Sequence, residues 1–548
     1  MPNLDTPLFF FGVTTGIALA AATQYLLNSA VNAKHRKRDQ GVSEVDRSEA
    51  LLGVPLTHDA AQLEMRSFTE SLLGSTSASG NVLQSPTAVN VGTTHGRRPS
   101  YSVPSFVAAD GTLPQLEREF TVPPHRLQTM VRHLVNEMKK GLDADGHTLK
   151  MIPSYVVARP KGQETGSYLA LDFGGSNFRV CLVELRGNGQ SRVRQSKHSI
   201  SDELKKGKGE ALFDFFAKCI GEFLISIGQD VLEPRNIGFT FSFPVQQTAL
   251  NHGALMHWNK GFECSGVEGQ DVVGLLNKSL RKANYKLTVT ALVNDTVGTL
   301  ISHAYRDPQT FVGVILGTGT NAAYVEKMEY IKKWKGKKTT GEMVINTEWG
   351  AYDEQSVLPL TSWDRMLDRA SLNTGKQIFE KMISGMYLGE IVRYILIDLV
   401  STGELFKGTS SKPLQVPYKF ETAYMSRIER DHSLELSDTK VVLEDIMEIP
   451  ATSVQDRRVV KHVCELVGIR AARLSAAGVA AIITKMNRFD ACTVAIDGSV
   501  FEHYPHFANR MRDALRELLG IMAENVVLEQ ARDGSGEGAA LIAALHGK

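Results

Sequence analysis

The chain has 548 residues, 43% of them hydrophobic and 22% charged, with a formal net charge of +1. This is globular composition with room for two or three domains, and it excludes the strongly basic balance of a nucleic-acid binder. Cys181, Cys219, Cys264, Cys464 and Cys492 are odd in number and form no C-x-x-C pair, which excludes a disulfide framework or zinc site and points to buried thiols in a reducing compartment.

Leu8 to Leu27, LFFFGVTTGIALAAATQYLL, carries no charge. As a helix rising about 1.5 Å per residue it spans about 30 Å, the hydrocarbon core of a bilayer. Asp5 precedes it and the basic run Lys34 to Arg38 follows, so the positive-inside rule puts the C-terminal side in the cytosol. A secretory signal peptide would need a basic leader, and a transit peptide an arginine-rich amphipathic helix without acids. An apolar helix packed on the protein itself is the alternative. Residues 1–38 are therefore predicted as a transmembrane anchor with its basic flank. It is similar to signal anchors of the mitochondrial outer membrane, with the endoplasmic reticulum as the other candidate.

Residues 39–112, rich in Ser, Thr, Gly and Pro with little apolar periodicity, are predicted as a disordered linker, because they bury too little surface to offset their ordering entropy. Arg97-Arg98-Pro99-Ser100 within it has the pattern of a basophilic phosphorylation site at Ser100, which short sequences also reach by chance. From about Leu113 apolar residues recur every three to four positions, as a helix requires. Patterned sequence then continues to Lys548.

The stretch LDFGGSN at 171–177 contains the D-F-G of protein kinases, but no H-R-D lies upstream and no A-P-E downstream, and that signature needs both. The flanking SYLAL and FRVCLVEL read instead as strands around a glycine turn. Gly174 and Gly175 permit a tight turn whose N–H groups can face an anion, and Ser176 and Asn177 add polar side chains. The pattern recurs in FVGVILGTGTNAAYVEK, where Gly319-Thr320-Asn321 matches Gly175-Ser176-Asn177 and Leu316 stands where Asp172 would be. Neither turn is a Walker A loop. Ordinary hairpins are the alternative for each alone; together they suggest two similar halves gripping one polyphosphate, with Asp172 serving its metal.

Between them, KLTVTALVNDTVGTLISHAY reads as a buried strand followed by a helix. Asp295 then stands at the carboxyl end of a strand, the edge where α/β sheets bind ligands. A carboxylate there can accept a proton from an attacking hydroxyl, or serve as the helix N-cap.

LALDFGGSNFRV, FTFSFPVQQTALNHGALMHWNKGFE, LVNDTVGTL, GVILGTGTNAAYVE, INTEWGAYDE, GKQIFEKMISGMYLGE and VAIDGSVFEHYPHF stand in the order found in hexokinases, and residues 115–548 resemble that family over nearly their whole length. The resemblance implies an α/β fold of the actin-like ATPase (ribonuclease H-like) type. Its two lobes, expected at 113–305 and 306–548, close over sugar and ATP. It implies phosphorylation of glucose or a related hexose at the 6-hydroxyl, the first step of glycolysis, with ATP and Mg2+.

Residue by residue, Asp295 matches the general base and Asp172 the carboxylate that holds Mg2+ largely through water. The phosphate turns match Gly174, Gly175, Ser176 and Asn177, and Gly317, Thr318, Gly319, Thr320 and Asn321. Thr320 is expected near the transferring phosphoryl, and Arg179 adds positive charge beside the first turn. Sugar contacts match Ser242, Asn259, Lys260, Asn294, Glu348 and Glu380, with Lys260 also in the catalytic set. The adenosine side matches Asp497, Gly498 and Ser499, and Gly534, Ser535 and Gly536, whose glycines are equally consistent with plain turns. No nucleic-acid partner is expected.

Three departures stand out. Asn259 replaces the threonine usual in W-T-K-G-F, at a cost of about 0.5–1.5 kcal/mol if one sugar hydrogen bond is lost. The first turn reads D-F-G-G-S where D-L-G-G-T is usual. Glu537 follows Gly536 where small or basic residues are common, and an acid would repel phosphates if it faced them. A hexokinase-like sugar sensor that transfers phosphate poorly is the alternative reading. An actin-fold chaperone would have no use for the sugar-site strings.

Overall fold

Alternating apolar residues in the first half of the chain pair into one sheet, and those in the second half repeat its plan. The computed structural model describes residues 112–174, 177–258, 261–336, 341–532 and 534–546. The expected anchor, the linker, Ser100, Gly175, Ser176, Asn259 and Lys260 lie outside these.

Helices α1 (Thr112–Phe120) and α2 (Pro124–Asp143) come first, followed by the short strand β1 (Ile152–Pro153). Pro124 opens α2, a position where its missing N–H leaves no helical bond unmade. Strands β2 (Thr165–Phe173), β3 (Asn177–Gly187) and β4 (Gln190–Ser199) form an antiparallel meander. After helix α3 (Gly209–Ser226) comes β5 (Arg235–Phe241), parallel to β2. A hairpin, β6 (Val245–Ala249) and β7 (His252–Leu255), and helix α4 (Val272–Lys282) lead to β8 (Leu287–Val293), parallel to β5. Helix α5 (Asp295–Arg306) follows directly.

The second sheet opens with another meander, β9 (Thr310–Leu316), β10 (Thr320–Lys327) and β11 (Glu342–Asn346). Helices α6 (Ser362–Ala370), α7 (Ile378–Ile383), α8 (Gly385–Ser401) and α9 (Val454–Met486) intervene before β12 (Cys492–Asp497), which runs parallel to β9. Strand β13 (Val526–Gln530) pairs parallel with β12, and α10 (Gly534–His546) ends the described chain.

The strand orders are β4-β3-β2-β5-β8 and β1-β11-β10-β9-β12-β13. A meander followed by two parallel strands occurs in each, which is the duplication the paired glycine hairpins suggested. Such a duplication fits the two-lobed plan that the resemblance implied.

Packing cuts across the expected division at 305/306. Strand β1 pairs with β11, and α1 and α2 lie against α9, so the first described segment belongs to the second lobe. Helix α10 returns to the first lobe, against β2 and β5. Periodicity gave these helices their apolar faces; it carries no information on which sheet covers them. Helices α5 and α10 cross at glycines. A Cβ on Gly538 would lie 2.0 Å from the Gly298 carbonyl oxygen, so any side chain there would force the helices apart.

Helix α9 begins with a capping box, in which Ser453 and Asp456 satisfy each other's backbone N–H groups, and ends at Asn487 in the left-handed conformation. It is long and apolar enough to cross a membrane, but most of it is buried against the surrounding helices. All five cysteines are buried and none is in a disulfide.

The D-F-G receives its explanation here. Phe173 is fully buried, its ring centroid 4.8 Å from Phe216 and 5.2 Å from Phe262. Phe241 and Phe243 complete that cluster. It is a core residue of the first lobe, placed by the alternation that leaves Asp172 on the opposite face of β2.

Candidate active site

Strand β8 ends at Val293 and delivers Asn294 and Asp295 to the start of α5. Asn294 is the N-cap, its Oδ1 accepting the Thr296 N–H at 3.0 Å. Asp295, the next residue, is the first of the helix and not its N-cap. It sits half-buried in the first helical turn, where the helix dipole favours negative charge, and its Oδ1 also accepts from the Thr296 N–H, at 2.9 Å.

Across the cleft lies a connected set of amides and a carboxylate. Asn321 Nδ2 donates to Asn346 Oδ1 at 2.8 Å, to Glu348 Oε1 at 3.2 Å and, more distantly, towards Asn294 Oδ1 at 3.5 Å. Asn346 Nδ2 donates to Glu348 Oε1 at 2.7 Å. Glu348 adopts a left-handed backbone at φ 54°, a conformation that is uncommon outside glycine and concentrates at functional sites. Asn294, Asn346 and Glu348 line one cleft with Phe241, Phe243 and Pro244. The amide of Asn321, expected among the phosphate contacts, is bonded to Asn346 and Glu348. Asn346 was missed by the sequence reading, although INTEW places it two residues before Glu348 at a strand end.

Glu380 lies on α7 and reaches the second glycine turn, its Oε2 accepting the Thr320 N–H at 2.9 Å. A Cβ on Gly319 would stand 2.8 Å from that oxygen, so a side chain there would displace the Glu380 carboxylate. The Thr320 hydroxyl donates to the Ile315 carbonyl at 2.9 Å and accepts from Trp349 Nε1 at 3.1 Å. The hydroxyl and N–H of Thr320, the residue expected near the transferring phosphoryl, are thus both bonded within the protein. Exposed Thr318 forms the tip of the turn. The turn is held from below by the start of α8, where the Gly385 N–H donates to the Gly317 carbonyl at 2.7 Å and the Met386 N–H to the Thr318 carbonyl at 3.1 Å. Tyr387 follows; burial and, next, the charge of Glu380 push its hydroxyl up to about 12.

At the first turn, Asp172 is 8% exposed. Its Oδ2 accepts from Arg179 Nε at 3.0 Å and from Ser535 Oγ at 3.0 Å. Arg179 faces Asp172 across the hairpin and pairs with it, so it balances that carboxylate's charge instead of adding a free positive charge beside the turn. Ser242 is drawn in as well: a Cβ on Gly174 would meet the Ser242 Cβ at 3.0 Å. Asn177 opens β3. Around Asn259 and Lys260, Trp258 stacks on Phe262 with centroids 5.5 Å apart, and Trp258 Nε1 donates to the Cys264 carbonyl at 2.9 Å.

On the nucleotide side, Asp497 ends β12, Gly498 has φ 122°, and Ser499 begins a short helix. A Cβ on Gly498 would lie 2.4 Å from the Leu316 carbonyl oxygen, so this turn and the second phosphate turn are pressed together. Gly534, Ser535 and Gly536 do not form an open turn. They are buried in the first turn of α10, with Gly534 against Thr299 and Gly536 against Cys181. Of the three, Ser535 reaches the site, through Asp172. Glu537 is 3% exposed and bonded to Ser191, Ser302 and Arg306. It faces α5 and β4, which answers the concern that it repels phosphates.

Among the described residues no group of three or more His, Cys, Asp or Glu side chains is placed to hold a metal ion. A single carboxylate, Asp172, beside a phosphate turn fits Mg2+, which keeps several of its waters and takes one or two protein oxygens.

Two family models described as hexokinase match residues 112–305 and 311–545. Hexokinase-2 of Oryza sativa is 44% identical over 454 residues, covering 80% of this chain and 92% of the relative. Hexokinase-1 of Schizosaccharomyces pombe is 41% identical over 441 residues, covering 80% and 91%. The solved hexokinase of Schistosoma mansoni complexed with glucose superposes with a TM-score of 0.73 at 40% identity, covering 79% of this chain and 98% of that one.

Proposed function

The chain belongs to the hexokinase family, and we propose on that premise how its residues transfer the γ-phosphoryl group of ATP to the 6-hydroxyl of glucose or a related hexose. The observation that carries the reading is the place of Asp295: a half-buried carboxylate in the first turn of α5, next in the chain to Asn294, which lines one cleft with Asn346 and Glu348.

Asn294, Glu348 and Glu380 bind hexose hydroxyls, with Ser242, Asn259 and Lys260 completing the ring. Amides and carboxylates suit this because each can engage two hydroxyls. Asp295 takes the proton of the 6-hydroxyl as its oxygen bonds to the γ-phosphorus; the bond to the β–γ bridging oxygen breaks and ADP leaves. Positioning and charge neutralisation supply most of the acceleration in phosphoryl transfer, and general-base catalysis contributes about 10²–10⁴. The turns around Gly174 and Gly317–Gly319 hold the polyphosphate, and the Asp497–Ser499 turn lies on the nucleotide side. Mg2+, when bound beside Asp172, neutralises phosphate charge. With Glu537 paired inside the protein, Asn259 is the departure that bears most directly on turnover.

ATP-dependent glucose 6-phosphate formation by the full chain, measured beside Asp295→Ala, tests the reading. Turnover that falls at least about 10²-fold in the variant supports it. Equal silence of both proteins, with glucose still raising the melting temperature, would leave a sugar-sensing protein.

The uncharged stretch Leu8–Leu27 and its basic flank support placing the enzyme on the cytosolic face of the mitochondrial outer membrane. Fusing residues 1–40 to a fluorescent protein tests this, and diffuse signal would sink it.

A further inference from the structure

Glu380 is held from behind. Its helix α7 has 6 residues and is entered through Gln377 in the left-handed conformation, φ 54°. So short a helix has little stiffness of its own. Successive helical residues point about 100° apart, so while Glu380 faces the glycine turn its neighbour Lys381 turns inward, 3% exposed. Lys381 Nζ donates to Asp368 Oδ1 at 2.6 Å and to the Asn373 carbonyl at 2.9 Å. Asp368, on α6, also accepts the Gly375 N–H at 3.0 Å on Oδ1 and 3.2 Å on Oδ2. One carboxylate and one ammonium therefore tie Asn373 and Gly375, in the connection between α6 and α7, to Lys381 within α7.

A buried ion pair is weak evidence for stability, since well-packed apolar side chains often do as well. What apolar side chains cannot do is fix the carbonyl of Asn373 and the N–H of Gly375 in one place. Those two bonds set the path of the chain immediately before Gln377 and Glu380. We infer that Asp368 and Lys381 are the positioning pair of Glu380, setting the enzyme's affinity for hexose without touching the sugar. The inference rests on the reading of Glu380 as a sugar contact.

The test uses the full-length enzyme and measures hexose KM, ATP KM, kcat and melting temperature for Lys381→Met, Asp368→Asn, the double variant, Lys381→Arg and Glu380→Gln. Each single variant leaves one member of the pair without its counter-charge and lowers the melting temperature. The double variant removes both charges and recovers most of that loss, so it remains informative if a single variant fails to fold. Positioning predicts that hexose KM stays at least about 10-fold raised in the double variant. ATP KM moves less, and Lys381→Arg falls between wild type and Lys381→Met. Recovery of both melting temperature and hexose KM in the double variant would overturn the proposal, leaving a purely structural pair. If Glu380→Gln itself leaves hexose KM unchanged, the sugar reading of Glu380 fails and takes the proposal with it. If Glu380→Gln raises hexose KM while the double variant does not, the positioning proposal alone fails.

Discussion

The carboxylate of Glu380 accepts the backbone N–H of Thr320 at 2.9 Å, so one side chain joins the short helix α7 to the second glycine turn. Gly319→Ala is expected to break this link, because the new Cβ would stand 2.8 Å from Glu380 Oε2 and the carboxylate must move. Hexose KM should rise by roughly 2- to 13-fold, the value of one hydrogen bond. Steady-state kinetics at saturating ATP checks it; an unchanged hexose KM would mean that Glu380 shifts without consequence.

Gly498→Ala is expected to act through the backbone. Its φ of 122° disfavours any side chain, and the added Cβ would press on the Leu316 carbonyl at 2.4 Å. Strain of this kind costs about 1–3 kcal/mol or more, and it falls on the turn that carries Gly317. Both a lower denaturation midpoint and a raised ATP KM should follow, read by chemical denaturation and initial rates.

Arg306 and Glu537 form an ion pair whose members differ in burial, with side chains 46% and 3% exposed. Removing each partner should therefore have unequal effects. Arg306→Ala leaves a buried carboxylate short of its counter-charge and is expected to destabilise by up to about 3–5 kcal/mol. Glu537→Gln leaves Arg306 free to be hydrated and should destabilise less. Because Glu537 faces α5 and β4, neither change should raise ATP affinity. A marked fall in ATP KM for Glu537→Gln would show that its charge reaches the phosphates after all.

His462 on α9 lies 2.9 Å from Glu117 on α1. Glu465, one turn along, and then Glu117 raise its pKa above the usual imidazole value, against the effect of burial. A raised folded-state pKa stabilises the protein fully below the unfolded value of about 6.5 and ceases to do so as pH climbs through the folded value. The melting temperature should therefore fall as pH rises above about 6.5. The His462→Gln variant should lose that part of the slope in thermal melts across the range.

Arg470 is fully buried and grips Asp364 through two bonds of 2.6 and 2.7 Å, its guanidinium lying 4.3 Å from the Phe120 ring centroid. Asp364 also caps α6 with Thr361. Arg470→Met is expected to cost about 3–5 kcal/mol, and Arg470→Met combined with Asp364→Asn less than that. Denaturant midpoints of the single and double variants measure the difference.

By itself the sequence determined the strands and their glycine turns, because period-two alternation and paired glycines are local signals. From them followed the duplicated plan, the place of Asp295 at a strand's carboxyl end, and the family. What tertiary structure decided are the matters of direction and partnership. Which of Asn294 and Asp295 caps the helix depends on where each side chain turns once β8 is fixed. Arg179 neutralises Asp172 because they sit opposite in a hairpin register, and Glu537 is turned to Ser302 and Arg306 because α10 packs against α5. The lobes are interleaved because apolar faces specify burial and leave the covering element open. Glu380 could be read from the chain alone as a solvated helix residue; it becomes part of the site when Asp368 and Lys381, on the far side of the short helix α7, hold that helix against the second glycine turn.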